Sequence, residues 1–391
     1  MLERFYTDAY FGRWPVIDPV LAWCTGARGA RFRGRRHPGI PVHLVRDFRS
    51  LYIRHPQAMD GQSAAWIRRG RRFATAAARG GFGGANAVYA FTSAAEELFE
   101  RAREAGVATV LDHATAPRGH EVAIVAAEAE CFPTWTLGRG AGADDGVAAY
   151  EARQERERDL ADRVICGSRY AARLLLDRGV RPDALRVVPL GVHPRFFDLD
   201  PATPSTSGLN VLYAGGDPLR KGLGYLIRAV RSLGTSRIRL RVAGDLAMSE
   251  QGLREVRQVA ERCEAVPRHH MAEWFQWADV LVLPTLSDTF GLVILEAMAA
   301  GVPVITTPAS GGPDVIREGV DGWIVPVRDA DALSSRLEAL LADPSMTRAM
   351  GAAAKARARE YDLRAYRRRL TAAVNGLAAP HSPLGGMPSP S

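Results

Sequence analysis

The chain has 391 residues, of which 47% are hydrophobic, so it can form the cores of two domains of ordinary size. It has no run of about 18 apolar residues and no apolar N-terminal signal region, so neither a membrane-spanning helix nor secretion is predicted. The formal net charge is +8, which favours anionic partners. The cysteines are far apart and form no CxxC pair, which favours free thiols in a reducing compartment and no zinc site. We therefore expect a cytoplasmic protein.

The excess positive charge is concentrated between residues 28 and 72. In that segment, twelve arginines are accompanied by only Asp47 and Asp60. Such a segment attracts phosphates, anionic lipid head groups or nucleic acid, and the lack of interleaved aromatic residues ranks nucleic acid last. We expect peripheral contact with an anionic membrane on its inner face. The alternative is an ordinary solvated surface in an arginine-rich protein.

The first half of the chain alternates between predicted strands and helices, which is typical of a Rossmann-like domain. A glycine-rich segment, 138–146, is expected to be a mobile loop. His113 follows a predicted strand, a position where α/β domains place functional residues, although a structural histidine fits equally well. His120 is the second candidate. The predicted strands are 4–10, 87–91, 107–111, 163–166 and 185–189, and the predicted helices are 61–79, 93–105, 119–130, 147–160 and 169–178.

The second half repeats the same alternation after a linker rich in proline, serine and threonine, 198–208. A turn through Gly215 and Gly216 leads to Arg220 and Lys221 at the start of a helix, where a diphosphate would bind. The alternative is an ordinary polar turn. The predicted strands are 210–214, 238–243 and 280–283, with others beginning at 302 and 322. The predicted helices are 223–233, 249–262, 272–278, 290–300, one after the strand at 322, and 346–375.

Two acidic residues frame the turn after the predicted strand 280–283. Asp288 lies in the turn, and Glu296 lies eight residues later among apolar neighbours. If all eight steps were helical, the rise between them would be about 12 Å. That spacing suits two contacts at opposite ends of an elongated ligand. The alternative is a helix whose polar face carries one glutamate.

The stretch from Asp288 to Ile305, DTFGLVILEAMAAGVPVI, resembles the signature of the family 4 retaining glycosyltransferases, the glycosyl transferases group 1. Their fold is GT-B, an α/β fold with two Rossmann-like domains facing across a cleft. Asp288 stands where the family usually has Glu. The resemblance implies that Asp288 holds hydroxyls of the donor sugar and that Glu296 binds the ribose. Backbone N–H groups would lie over the sugar and phosphates at Phe290, Gly291, Leu292 and Val293.

The resemblance extends to other candidate site residues. Lys221 matches a family lysine at the donor diphosphate, whereas Gly216 stands where the family often has an arginine, and Arg220 would supply that charge. His113 would lie near the donor sugar and acceptor, with His120 as a weaker acceptor candidate. Arg268 falls where the family lines the base pocket. Asp288, Lys221 and His113 are therefore the predicted catalytic residues. The predicted donor-binding residues are Glu296, Phe290, Gly291, Leu292, Val293, Arg220, Gly215, Gly216 and Arg268.

The resemblance also implies the order of the domains. An acceptor-side domain, 1–197, precedes the linker and the nucleotide-sugar domain, 209–345. The helices of 346–377 would return to the first domain, and the tail, 378–391, is predicted to be disordered. Family members begin with a glycine-rich strand–helix unit that is not evident here. A late start, a truncation or a divergent branch would each explain this, and the acceptor contacts stay open.

The implied function is hexosyl transfer with retention, of the kind used in polysaccharide biosynthesis. The donor would be a nucleoside-diphosphate sugar, linked to UDP or GDP, and the acceptor a glycan, a lipid-linked sugar or a small molecule. No metal or cofactor is expected, since fixed cations would neutralise the leaving diphosphate. One alternative is a non-catalytic nucleotide-binding subunit. Another is a nucleotide-sugar epimerase, which the EAMA sequence from Glu296 disfavours.

Overall fold

The chain folds as an α/β protein with parallel sheets. Its described residues divide into two compact units, one within 1–113, 144–164 and 374–391, and the other within 114–143 and 165–373. The domain boundaries expected from the sequence stay a prediction. The predicted mobile loop and linker lie almost entirely outside the described residues, and the tail lies entirely outside them. The computed structural model describes residues 5–7, 42–44, 62–137, 146–199, 208–234, 236–267, 269–375 and 377.

A short parallel pair of strands and a four-stranded sheet belong to the first half of the chain. Strand β1, Phe5–Thr7, pairs with β2, Val42–Leu44. Strands β3 to β6 follow one another in that order in the four-stranded sheet, and the boundary between the two units falls within β5. These strands are β3, Ala87–Phe91; β4, Ala108–Asp112; β5, Arg163–Cys166; and β6, Leu185–Val187. The helices are α1, Gln62–Arg79; α2, Glu96–Glu104; α3, Arg118–Cys131; α4, Val147–Asp159; and α5, Arg169–Leu176.

A buried carboxylate caps the N-terminus of α2. Glu157 has no exposed surface and accepts hydrogen bonds from the backbone N–H groups of Ser93 at 2.6 Å and Ala95 at 2.9 Å. The first N–H groups of a helix have no partner within the helix, so a carboxylate there is favourable. Arg153 is also buried and donates to Glu96 at 2.6 Å. This network fixes α4 against the start of α2.

The second unit contains a six-stranded parallel sheet in the order β12-β11-β10-β7-β8-β9. The two central strands, β7 and β10, are buried along their whole length, as expected of apolar strands covered on both faces. The chain leaves β7 towards β8 and later returns to β10 on the other side, so the strand order reverses between β7 and β10. Open α/β sheets bind ligands beside such a reversal, at the carboxyl ends of the strands. The strands are β7, Leu209–Ala214; β8, Ile238–Ala243; β9, Ala260–Glu264; β10, Val280–Leu283; β11, Val304–Thr306; and β12, Gly322–Ile324.

Two helices of the second unit depart clearly from the sequence prediction, and the short helix at Gly312–Val315 was not predicted. The predicted helix 249–262 ends at Arg257 and is followed by the edge strand β9. The residues of β9 are mostly polar and exposed, so its sequence resembles that of an exposed helix face. The predicted helix 346–375 is interrupted at Asp362, whose carboxylate accepts a hydrogen bond from Ala365 N at 2.6 Å and begins a new helix. The helices are α6, Leu223–Leu233; α7, Glu250–Arg257; α8, Met271–Trp277; α9, Leu292–Ala299; α10, Gly312–Val315; α11, Ala330–Ala342; α12, Pro344–Ala358; and α13, Leu363–Val374. Single 3₁₀ turns lie at Pro133–Trp135, Pro194–Phe196 and Arg359–Tyr361. Across the described ranges, no helix is long and apolar enough to cross a membrane.

Candidate functional site

Two turns meet beside the reversal in strand order: the turn between β7 and α6 and the turn between β10 and α9. Gly222, which precedes α6, has φ +71°, and a Cβ atom there would lie 2.0 Å from the carbonyl oxygen of Pro284. Only glycine permits this approach. The backbone N–H of Leu286 donates to the carbonyl of Arg220 at 2.9 Å, which joins the two turns directly. The glycine therefore places Arg220 and Lys221 against the turn that carries Asp288.

Lys221 and Asp288 form an ion pair between these two turns. The ammonium of Lys221 donates to Oδ2 of Asp288, and both side chains are about 15% exposed. The backbone N–H of Phe290 donates to Oδ1 of Asp288 at 3.3 Å. Burial alone would raise the pKa of Asp288, but the Lys221 ammonium, Arg220 and the Phe290 N–H together outweigh burial and lower that pKa. Asp288 is therefore ionised at neutral pH. Burial lowers the pKa of Lys221, and Asp288 opposes this change.

Arg220 links three segments of the second unit. Its Nε donates to Oδ2 of Asp217 at 2.9 Å, and one of its terminal nitrogens donates to the carbonyl of Ser287 at 2.7 Å. The same nitrogen lies 3.7 Å from Oε1 of Glu121 on α3. Burial disfavours its charge, but Asp217 and Glu121 outweigh burial and raise the pKa of Arg220. Glu121 was not a candidate from the sequence, because α3 is remote from Arg220 along the chain.

His120 lies beside the same cluster through a tyrosine on α5. Its Nε2 is 3.0 Å from the hydroxyl of Tyr170. Burial lowers the pKa of His120, and the positive charge of Arg178 adds to this, so the imidazole is neutral at neutral pH. Burial raises the pKa of Tyr170. The sequence offered His120 as a weak candidate and gave no signal for Tyr170.

The turn before α9 is shaped by the side chain of Phe290. This side chain is 2% exposed, and a Cβ atom on Gly311 would lie 2.6 Å from its ring. Gly291 has φ +79° and precedes the first residue of α9. The ring of Phe290 therefore packs inside the unit, and only its backbone faces the turn. The contact that the family resemblance implies between this backbone and a donor sugar stays a prediction.

Glu296 lies inside α9 and is 5% exposed. Because α9 begins at Leu292, the eight steps from Asp288 are not all helical, and the assumed rise of about 12 Å does not apply. Leu292 and Val293, in the first turn of α9, are half-buried, whereas the rest of the helix is buried. The first N–H groups of a helix are available to a ligand. Leu292, Val293 and Glu296 therefore follow Asp288 on one continuous segment.

The remaining predicted residues are distributed as follows. Gly215 and Gly216 lie in the turn after β7, and a Cβ atom on Gly215 would be 3.3 Å from the hydroxyl of Tyr213. His113 is 1% exposed and belongs to the other unit, at the end of β4, so its role stays a prediction. Arg268 lies outside the described residues. Among the residues that the structure describes, no group of three or more His, Cys, Asp or Glu could hold a metal ion.

Residues 208–343 match the family described as glycosyl transferases group 1. The match begins just before β7 and includes both turns, the Lys221–Asp288 pair and all of α9. This domain belongs to the glycosyl transferases group 1 family. The match confirms the family that the sequence of residues 288–305 indicated.

Three known proteins illustrate the similarity over more of the chain. The D-inositol 3-phosphate glycosyltransferase of Xylanimonas cellulosilytica is 31% identical over 251 residues, which cover 57% of this chain and 56% of that protein. The chain thus spans about half the length of such relatives. A sucrose-phosphate synthase from Thermosynechococcus elongatus has a TM-score of 0.64 at 18% identity, covering 95% of this chain and 100% of that chain. HepE from Anabaena, solved with UDP and glucose, has a TM-score of 0.60 at 16% identity, covering 96% and 100%. These similarities confirm the predicted GT-B fold with two Rossmann-like domains.

Proposed function

We propose that this group 1 protein is a retaining hexosyltransferase that uses a UDP- or GDP-linked sugar as donor and needs no metal. The observation that carries this proposal is the Lys221–Asp288 pair beside the strand-order reversal, at the start of α6. That position suits an anion because a helix N-terminus and a fixed cation act together there. HepE, which shares the fold, was solved with UDP and glucose, and this supports a nucleotide-sugar donor.

The residues of the site have distinct proposed roles. Lys221, with Arg220 behind it, neutralises the diphosphate as it leaves, which is the charge stabilisation that a metal would otherwise supply. Asp288 accepts hydrogen bonds from hydroxyls of the donor sugar, and Glu296 accepts them from the ribose. Because Asp288 is already engaged by an ammonium, it is a poor nucleophile. The acceptor hydroxyl therefore attacks from the side of the leaving group, and the departing phosphate takes its proton.

The acceptor that we favour is a small phosphorylated polyol. The similarity to a D-inositol 3-phosphate glycosyltransferase supports this choice, as does the fold shared with a sucrose-phosphate synthase. A glycan or lipid-linked acceptor is the second candidate, because residues 28–72 carry a large excess of arginine. Of that segment, Arg68, Arg71 and Arg72 are exposed on α1. Such residues favour an anionic surface by about 1 kcal/mol each.

A transfer assay tests the proposed function. The protein is incubated with UDP-glucose or GDP-mannose and with inositol phosphate or a lipid-linked sugar, in the presence of a metal chelator. Release of the nucleoside diphosphate and the anomeric configuration of the product are followed by NMR. Both donors carry an axial α-linked phosphate, so retention gives an α-linked product from either one, and we expect no loss of rate with the chelator. Nucleotide binding without any transfer or donor hydrolysis would favour a non-catalytic subunit instead.

A further inference from the structure

A carboxylate from α3 faces the cations of the candidate site. Glu121 lies in the first turn of α3, and its side chain is 17% exposed. Its two oxygens lie 3.7 Å from Arg220 and 3.7 Å from Arg118. Within the described ranges these two guanidinium groups are its partners, and no hydrogen bond to its side chain is found. Glu121 is thus a largely buried acid held only by two long ion pairs.

The charges around Glu121 are balanced without a ligand. Arg118 faces it from its own helix, Asp217, Arg220 and Lys221 face it from the turn after β7, and the Tyr170 phenol faces it from α5. Lys221 is in turn paired with Asp288. Three cations therefore meet three carboxylates, and the formal charge of the cluster is zero. A nucleoside diphosphate would add at least two negative charges beside these carboxylates.

Of the three carboxylates, Glu121 is the one best able to take up a proton. Asp217 is hydrogen-bonded to Arg220 at 2.9 Å, and Asp288 is hydrogen-bonded to Lys221. Charge-assisted hydrogen bonds of this kind are short and strong polar contacts. Glu121 has none. Burial raises the pKa of Glu121, although Arg220 and Arg118 oppose this, and a nearby phosphate would raise it further.

We propose that Glu121 is a ligand-binding residue that takes up one proton from solvent when a nucleoside diphosphate binds at Arg220 and Lys221. The new carboxyl O–H then donates a hydrogen bond to a phosphate oxygen, so that a repulsion between two anions becomes an attraction. One proton moves from water to the carboxylate, and no covalent bond of the ligand changes. This inference rests on the proposed function, since it assumes that the diphosphate binds at these cations.

Isothermal titration of the protein with UDP and with GDP tests the proposal. Repeating each titration in buffers with different heats of ionisation gives the number of protons taken up on binding. For the wild type we expect an uptake of up to one proton beyond that of the nucleotide itself. Its affinity should weaken by up to about tenfold per pH unit as pH rises from the pKa of Glu121 in the free protein to its higher pKa in the complex, and should level off above that. The titrations are run at several pH values from about 5 to about 8, so that the trend of affinity with pH can be followed.

Two variants and one control separate Glu121 from other effects. E121Q keeps a hydrogen-bond donor but cannot titrate, so its affinity should lose the extra pH dependence and be tighter than that of wild type at the upper end of the pH range. E121A should also lose the extra uptake but bind more weakly than E121Q, because it has no donor. E130Q replaces an exposed glutamate on the same helix and should behave like wild type. The nucleotide titrates identically in all four proteins, so their differences report Glu121 alone.

The outcomes distinguish this proposal from the proposed function. If UDP and GDP bind but E121Q keeps the proton uptake and pH dependence of wild type, the proposal about Glu121 is overturned and the nucleotide site stands. The same holds if the wild type takes up no extra proton. If neither nucleotide binds to any of the proteins at millimolar concentration, the proposed function itself fails. Should E121Q not fold, E121A and the wild-type uptake decide the matter in the same way.

Discussion

Replacing Lys221 with alanine should lower both stability and turnover. The substitution removes the ammonium from Asp288, which is about 15% exposed and, among the described residues, keeps a 3.3 Å hydrogen bond from Phe290 N and the nearby charge of Arg220. Breaking a fully buried pair costs about 3 to 5 kcal/mol, and partial exposure reduces this to about 2 to 3 kcal/mol of unfolding free energy here. Turnover should fall by about 10²-fold or more, because the leaving diphosphate loses its fixed cation.

The pH dependence of this stability loss has a defined sign. In the wild type, the lowered pKa of Asp288 contributes stability that is present above the pKa of the unfolded state and is lost as pH falls through the folded-state pKa. Without Lys221, burial raises the pKa of Asp288 instead, so the variant is least stable, relative to wild type, near neutral pH. The deficit should shrink as pH is lowered towards about 4.

Urea unfolding followed by circular dichroism measures this effect at neutral and acidic pH. The double variant K221A/D288N removes the unpaired charge and should recover part of the loss. K355A is the matched control, because Lys355 is assigned no role in the site and donates to the carbonyl of Leu199 at 2.7 Å. The reasoning is refuted if K221A and K355A have the same free energy of unfolding at neutral pH and if K221A/D288N is no more stable than K221A.

Three further predictions concern Asp288, Glu296 and the arginine-rich segment. D288N should weaken binding of the nucleotide sugar more than binding of the free nucleotide, as titration calorimetry would show; equal losses would place Asp288 away from the sugar. E296A should abolish donor binding, because it removes the proposed ribose contact from α9; unchanged nucleotide affinity in the same titration would contradict this role. Wild-type protein should sediment with anionic vesicles at low salt, and changing Arg31, Arg33, Arg35 and Arg36 to Gln should reduce this without altering nucleotide affinity. If the wild-type protein does not sediment with anionic vesicles at low salt, residues 28–72 are only a solvated surface.

Elements with strong local signals were predicted well. The strands 87–91, 163–166, 238–243 and 280–283 and the helix 223–233 have the predicted bounds, because apolar runs end there at glycine, proline or polar turns. The exposed edge strand β9 was missed because its residues, AERCE, do not alternate between apolar and polar, and such a polar run fits an exposed helix face equally well. Local sequence patterns were therefore sufficient to predict most strands of the core, but not the edge strand of the sheet.

The candidate site was predictable only where its residues share one segment or one known motif. Lys221 and Asp288 were each chosen from their own turns, and the structure pairs them because Gly222 lets the turns approach. Glu121 and Tyr170 gave no local signal, because their place beside Arg220 and His120 depends on how α3 and α5 pack. Such contacts between remote segments require the tertiary structure.

A crystal structure with UDP or GDP bound, whichever nucleotide binds more tightly in calorimetry, would locate the proposed donor site. We expect the diphosphate at the start of α6, within hydrogen-bonding distance of Nζ of Lys221, and the ribose hydroxyls on the carboxylate of Glu296. The Lys221–Asp288 contact should lengthen as the phosphate takes its place beside the ammonium. A nucleotide bound away from Lys221 and Glu296 would contradict the proposed donor site.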